Sequence, residues 1–393
     1  ALLFTFHHIM LQRYTLQFWL LCLSTLLFFF SFTIIIPELP DYITSLGGED
    51  YKGFTIGLFT ISAGLSRPIS GKLADLIGRR PVMIFGGLVC VVVSFLYPLF
   101  SGVFGFLFLR FIHGMSTGFM PTGTVAYIAD IVPSDRRGEA MGLVGVMNNI
   151  GLMSGNALST NIVSYTGINN LFLLSGIISI LSISIIFWMK ETLPNPEKLS
   201  LKSFHIKLSD FWDNRAKDPA IVMLLSVMVF GTIITLIPDY SIGLGIKNKG
   251  LFVSIMTIST VLVRLFTAKF SDKYGRLLSC KIGTSLYLVG CILLMMRQID
   301  CFYAAAVICG LASGINSPSI FAWVVDVAKG KNVGRSIATL FISLEAGITI
   351  GAFSSAYIYG NVFSNFTYVF LFLSGTILLA MAYLFFGISK SKI

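Results

Sequence analysis

The sequence predicts an all-α membrane protein of twelve transmembrane helices in two pseudo-symmetric six-helix bundles, and three observations carry that prediction. Hydrophobic residues make up 55% of the 393 positions and charged residues 12%, with a mean hydropathy of +0.85. That leaves too little polar surface to cover a soluble protein of this size. The apolar residues gather into twelve runs, near 14–38, 52–74, 81–100, 103–131, 139–163, 169–190, 219–245, 250–271, 279–297, 301–327, 334–359 and 363–388. Each is long enough to cross a hydrocarbon core as helix, which takes about 20 residues, whereas a membrane barrel shows short alternating segments. Finally, the chain repeats itself. Moving 197 residues on from Arg67, Lys72, Asp75, Gly78 and Arg79 reaches Arg264, Lys269, Asp272, Gly275 and Arg276. An offset of 196 takes Gly114, Gly118, Ala126, Asp130 and Gly138 to Gly310, Gly314, Ala322, Asp326 and Gly334. Two copies of one unit follow, expected at 13–190 and 219–390 with a linker at 191–218.

The net charge of +10 does not point to nucleic acid, because the bases are distributed by topology. With the amino terminus inside, 21 of the 28 Lys and Arg fall in the termini and inner loops, and four (Lys52, Lys247, Lys249, Arg297) fall outside. Arg67, Arg110 and Arg264 lie within apolar runs. This is the positive-inside bias, so both termini and the middle loop are expected in the cytoplasm, in a multi-pass protein of a bacterial inner membrane. The first run is too long for a cleaved leader and leads into a Pro-rich exit, which makes it a span. Six cysteines, at 22, 90, 280, 291, 301 and 309, sit in or at the ends of apolar runs without metal-ligand spacing and read as small core residues. No phosphate-binding loop or catalytic signature occurs, so neither an enzyme nor a cofactor is expected.

Taken in order, run one leaves the membrane at Ile36-Pro37-Glu38-Leu39-Pro40-Asp41, and run seven ends at Ile237-Pro238-Asp239-Tyr240. Both helices should loosen at the proline, which lacks an N–H donor and restricts its predecessor. Glu38 and Asp239 then read either as two helix ends or as paired acids at the mouth of a pathway. Run two ends in the hinge Gly71-x-Leu73-x-Asp75-x-x-Gly78-Arg79-Arg80. Gly71 permits close helix approach, Gly78 a tight turn, and Asp75 can pair with bases or cap a helix.

This hinge resembles the loop signature between helices 2 and 3 of the major facilitator superfamily, with residues 268–276 as a degenerate second copy. The resemblance implies the superfamily's two-bundle fold and a cytoplasmic gate built from Gly71, Asp75, Gly78, Arg79, Arg80, Asp130, Asp272, Gly275 and Arg276. Run four carries Arg110-Phe111-Ile112-His113-Gly114-x-x-x-Gly118, similar to the family's helix 4 motif. Arg110 maps to Ala306 and His113 to Cys309 in the second copy. A base present in one copy only, two turns inside a helix, suits a cavity charge better than a snorkelling one, and it is expected to hold either an anionic substrate group or a carboxylate such as Glu38. His113 reads as a packing residue. Run five, Gly151-Leu152-Met153-Ser154-Gly155-Asn156, is similar to the helix 5 signature of the drug:proton antiporter branch. Asn156 stands where that signature has proline, and Ser159 and Thr160 stand for its glycine pair.

The loop from Lys190 to Pro219 reads as a tether with an interfacial amphipathic segment near 203–213. In run eleven Glu345 replaces Asn149 of the first copy. It lies eleven residues beyond Gly334, about 16 Å along a helix and near the midplane of a core about 30 Å thick. A carboxylate there reads as a proton-coupling group or as the permanent partner of a base such as Arg264. Glu345, Glu38, Asp239 and Arg110 are thus the coupling candidates. Asn148, Asn149, Asn156, Asn316, Trp323 and Phe341 are the candidates for lining a substrate cavity. What the resemblance implies is a monomeric secondary transporter that moves a small molecule by alternating access, coupled to protons, as an exporter of drug-like compounds or metabolites. A proton-coupled or facilitative importer is the second reading and a transport-inactive receptor or scaffold the third.

Overall fold

A computed structural model describes residues 14–133, 136–197, 212–267, 271, 274–328 and 333–388. Twelve long helices run through it: α1 (Leu16–Ser45), α2 (Lys52–Ile77), α3 (Arg79–Leu96), α4 (Val103–Ile131), α5 (Arg137–Thr166), α6 (Ile168–Trp188), α7 (Lys217–Gly243), α8 (Leu251–Thr267), α9 (Arg276–Met295), α10 (Ile299–Ala328), α11 (Val333–Tyr359) and α12 (Phe366–Ala382). Among the described residues, nine are long and apolar enough by themselves to cross a membrane. Two that fall short are α2 and α5, which carry polar and charged side chains along their length; for the third, α8, the stretch Leu251–Arg264 is counted only as far as the described residues reach.

The repeat in the sequence is a repeat in packing. In the first half α1 lies against α5 and α6, α2 against α4, and α3 against α4 and α6; α7 to α12 reproduce the same pairs. Glycines set the close approaches. Gly114 and Gly118 put α4 on the Phe59 and Ala63 carbonyls of α2, and Gly310 and Gly314 put α10 on the Met256 and Thr260 carbonyls of α8. Side chains at these four positions would collide with backbone, so the spacing read from the sequence is a contact surface. Polar glue supplements it: Ser24 bonds Ser182 at 3.0 Å between α1 and α6, and Ser94 bonds Ser175 at 3.1 Å between α3 and α6. Large apolar side chains such as Phe104, Phe108, Trp188, Leu371 and Leu379 point outward, as lipid requires. Five of the cysteines (22, 90, 280, 291 and 309) are buried in the apolar cores.

The two halves meet along α2 against α11 and α5 against α8. Their contact is tightest toward the outer face, the end of the α1–α2 and α7–α8 connections. There Gly53 lies on the Ala352 carbonyl, Gly57 under the Phe353 ring and Gly250 on the Asn156 carbonyl. One expected break occurs and its counterpart does not. At Pro37 the α-helix gives way to a 3-10 turn at Ile36–Glu38, whereas α7 continues unbroken through Pro238 to Gly243. A proline removes one hydrogen bond from a helix without obliging it to end; both sites are buried, and the one that breaks has a second proline, Pro40, three residues on.

Candidate functional site

Between the halves lies a cavity of about 1000 Å³, walled by α1, α2, α4 and α5 on one side and α7, α8 and α11 on the other. Its lining runs from Ile36, Ile56 and Arg110 to Lys72, Asp75 and Arg335 at the hinge end, the mouth, which the basic bias predicts to be the inner face; beyond the opposite end the halves are in contact at Gly53, Gly57 and Gly250. The two helices too polar to read as simple spans, α2 and α5, are both among those that face it. Its wall is largely apolar and includes Phe29, Phe32, Phe59, Phe230 and Phe341, with Thr33, Thr60, Thr117, Asn148 and Asn156 as neutral polar groups.

Glu345 sits in this wall, 7% exposed, and accepts from Arg67 Nη2 at 2.7 Å and Nε at 3.1 Å. Phe341, one turn before it on α11, packs its ring 4.3 Å from the Arg67 guanidinium carbon. Gly64 leaves the space on α2 that the Glu345 side chain enters. The partner is therefore Arg67 of the first half, not Arg264 as expected; the two arginines are related by the 197-residue offset, and docking of α2 on α11 selects the first. A buried charge needs such a partner, since the penalty for leaving it alone is several kcal/mol.

Arg110 is 1% exposed and has no carboxylate partner among the described residues. Its Nε donates to the Thr55 carbonyl at 2.8 Å, its Nη1 to the Tyr97 hydroxyl at 3.3 Å, and its guanidinium lies 4.5 Å over Phe59. Tyr97 is held in turn by His113 Nδ1 at 2.9 Å, and His113 Nε2 meets Cys90 Sγ at 3.2 Å. The packing role read for His113 thus has a specific form. The expected Arg110–Glu38 pair does not form, because Glu38 is taken by Lys249 at 2.5 Å and Thr160 at 2.8 Å.

That contact belongs to a crossed pair at the outer face. Lys249, ahead of α8, binds Glu38 and Asp41 of the first half; Lys52, at the start of α2, binds Asp239 of the second at 2.5 Å. Lys249 is Lys52 displaced by 197 residues, so each half extends the equivalent lysine to the other's acid. Burial pulls the Lys249 ammonium down, and Glu38 and Asp41 more than restore it, leaving it above the ordinary lysine range. These acids therefore serve as ties across the closed face rather than as free groups at a mouth.

At the inner face the hinge is a compact network. Gly78 takes φ +117°, and a side chain there would run into the Glu191 carboxylate. Glu191 accepts from the backbone N–H groups of Arg79 and Arg80, both at 3.0 Å, capping α3. Arg79 Nε binds Asp130 at 2.9 Å and its Nη1 reaches Asp75 at 3.1 Å, while Arg80 donates to the Ile186 and Phe187 carbonyls. The second copy repeats the core of this with Arg276 on Asp326 at 3.0 Å, and Gly275 turns at φ +93°. Gly71 faces the cavity mouth. Asp272, Lys269 and most of the 203–213 segment lie outside the described residues. Beside that segment, Asp213 fastens the linker to α11: it accepts from Ser336 at 2.7 Å and from Arg215 at 3.1 Å, and its N–H donates to Thr339.

Of the expected cavity residues, Asn148, Asn156 and Phe341 line it. The other three stand away from it. Asn149 turns back onto the Gly145 carbonyl of its own helix, Asn316 packs against Gly283 of α9, and Trp323 is buried with Val222, Cys280 and Leu340. For Asn316 and Trp323 the reason is the helix: α10 packs on α8 and α9 and contributes nothing to the cavity wall. The residues not anticipated as partners are Arg67, Lys52, Lys249 and Glu191. The shared 197-residue offsets of Lys52 with Lys249 and of Arg67 with Arg264 are the available signals.

Comparison with known proteins matches this geometry. The Major Facilitator Superfamily description fits residues 21–300 and 249–393. Multidrug resistance protein 2 of Bacillus subtilis is 28% identical over 260 residues, 63% of this chain and 64% of that protein, so the match spans just under two thirds of its length. A multi-drug resistance efflux pump PmrA homolog of Lactococcus lactis subsp. lactis is 26% identical over 364 residues, 84% of this chain and 85% of the relative. The staphylopine export protein of Staphylococcus aureus is 23% identical over 348 residues, 84% and 86% of the two chains. Among solved structures, the human organic anion transporter MFSD10 superposes with a TM-score of 0.71 at 18% identity, covering 93% of this chain and 98% of its own. A POT family transporter in complex with 5-aminolevulinic acid gives 0.77 at 14%, covering 93% and 95%. A fold of two repeated bundles around a central cavity and a match that runs through both of them agree, and the chain belongs to the major facilitator superfamily, a multi-pass membrane transporter and not an enzyme.

Proposed function

We propose that this protein is a secondary active exporter of drug-like or metabolite molecules, acting as a monomer by alternating access and driven by protons entering through Glu345. The bundles are 13–190 and 219–390, joined by the linker 191–218. The positive-inside bias supports a cytoplasmic inner face with both termini on it, and the bacterial relatives support a bacterial inner membrane.

The observation that carries the reading is the Arg67–Glu345 pair in the wall of the cavity. A carboxylate near mid-membrane holds its charge only while a cation is beside it. A proton on Glu345 frees Arg67 and α11 from one another at the inner end of the α2–α11 contact, and loss of the proton restores the tie. One group that is either protonated or paired, at the interface whose two ends must open in turn, is sufficient to link proton flow to the switch between states. The names of the relatives, multidrug resistance and export proteins, support outward transport.

The test is transport of a fluorescent amphiphile in proteoliposomes under an imposed pH gradient. Wild type should concentrate it against its gradient. Glu345→Gln keeps shape and hydrogen bonding but cannot titrate, and should equilibrate the compound without concentrating it. Gradient-driven accumulation that survives in the Gln variant rules Glu345 out as the coupling group. Accumulation with protons, in place of exchange against them, would make the protein an importer.

A further inference from the structure

We infer that the substrate is an aromatic molecule bearing a carboxylate, received by Arg110 at the closed end of the cavity; this rests on the exporter reading. Arg110 carries a guanidinium that is almost wholly buried, and its partners are a carbonyl, a phenol hydroxyl and an aromatic face. All three are neutral. Its Nε and Nη1 are engaged, and Nη2, the remaining nitrogen, has no acceptor among the described residues, in a residue that forms part of the cavity wall. The carboxylates that could neutralise it are committed elsewhere: Glu38 to Lys249, Asp239 to Lys52 and Glu345 to Arg67. Within the cavity above its mouth the charged groups are Arg67, Glu345 and Arg110. The first two cancel, so this part of the cavity carries one uncompensated positive charge.

A guanidinium whose third nitrogen opens on the cavity is a ready donor to a carboxylate, which it holds with a short charge-assisted hydrogen bond. A lone cation meets the opposite situation, repulsion in a low-dielectric space. The wall around Arg110 sets the rest of the ligand. Phe59 lies under the guanidinium and stacks on Phe32 with ring centroids 5.9 Å apart, a platform for a flat apolar body. A basic group on such a molecule would be free to face Glu345 across the cavity, so zwitterions belong to the class.

The test measures binding by fluorescence anisotropy to the purified transporter at pH 7.5, using a rhodamine with a free carboxylate and its methyl ester. Wild type should bind the acid about tenfold more tightly than the ester, and Arg110→Gln should abolish that preference. An ester bound as tightly as the acid by wild type overturns the inference, and so does an acid preference that persists in Arg110→Gln, which would assign it to Lys72 or Arg335. The wild-type ratio decides the first point even if the variant does not fold. If the ester is nevertheless concentrated in proteoliposomes under a pH gradient, the exporter reading stands while the substrate class falls. If neither dye is bound or moved, both fall together.

Discussion

The crossed lysines at the outer face set the energy needed to open it, and the structure gives the magnitude. Lys52–Asp239 has side chains 9% and 6% exposed, and Lys249–Glu38 has 12% and 4%. Hydrogen bonds between charged groups at this burial contribute about 1.5–3 kcal/mol. Asp41 is 48% exposed and adds about 0.5 kcal/mol at most. Taking the lower bound for each, because the opened groups regain water, the two pairs together hold the face shut by about 3 kcal/mol. Removing that shifts the closed-to-open ratio by a factor on the order of 100, from about 99:1 to near parity. Lys52→Gln with Lys249→Gln should therefore open the outer face in about half the molecules, and either change alone by about tenfold in the ratio. The measurement is the distance between spin labels at Tyr165 on α5 and Tyr357 on α11, both 89% exposed on opposite bundles, in a background without reactive cysteine. A longer-distance population should appear in the double variant. Exchanging charges across one pair, Lys52→Asp with Asp239→Lys, should suppress it again. A distance distribution indistinguishable from wild type in the double variant would refute the argument.

Two further outcomes follow from the inner face. Asp75 is 75% exposed and shares Arg79 with Asp130, so Asp75→Asn should leave thermal stability within about 0.5 kcal/mol while slowing transport, whereas Arg79→Ala should cost about 2 kcal/mol; equal losses in unfolding experiments would show that Asp75 holds this state together. Burial pushes the Asp213 carboxyl up, but the Ser336 hydroxyl and Arg215 outweigh it and bring it to about 2. A folded value below the unfolded one of 3.8 stabilises above that pH and is lost as pH falls toward 2. Asp213→Asn should thus cost about 2 kcal/mol at pH 7 and about half that at pH 3; a cost independent of pH would assign Asp213 a purely steric role.

The helices, the halves and the hinge could be read from the sequence because each rests on local periodicity or on a repeat, which need no knowledge of docking. Arg79 with Asp130 and Arg276 with Asp326 recur because both members move together from one copy to the next. Glu345 stood out for its depth. Its partner did not, since Arg67 and Arg264 are equivalent by offset and only the contact of α2 with α11 distinguishes them. The same holds for Asp239, whose lysine lies 187 residues away in the other half. Asn316 and Trp323 were misplaced because a polar or aromatic residue on a helix gives no hint of which neighbour the helix turns to. Pro238 shows the converse: a lone proline leaves α7 continuous, where the pair Pro37 and Pro40 interrupts α1.

The charge on α2 bears on how the chain is made. A helix enters the bilayer from the translocation channel according to its own transfer free energy, and Asp, Lys or Arg near its centre counts against it by about 2.5–3.5 kcal/mol. Arg67 puts that burden on α2. Within its own half α2 packs on α4, made two helices later, and the carboxylate that pairs with Arg67 comes later still, on α11. Stable insertion of α2 is therefore expected to improve once α4 has been made, and chains truncated before and after α4 would show the difference.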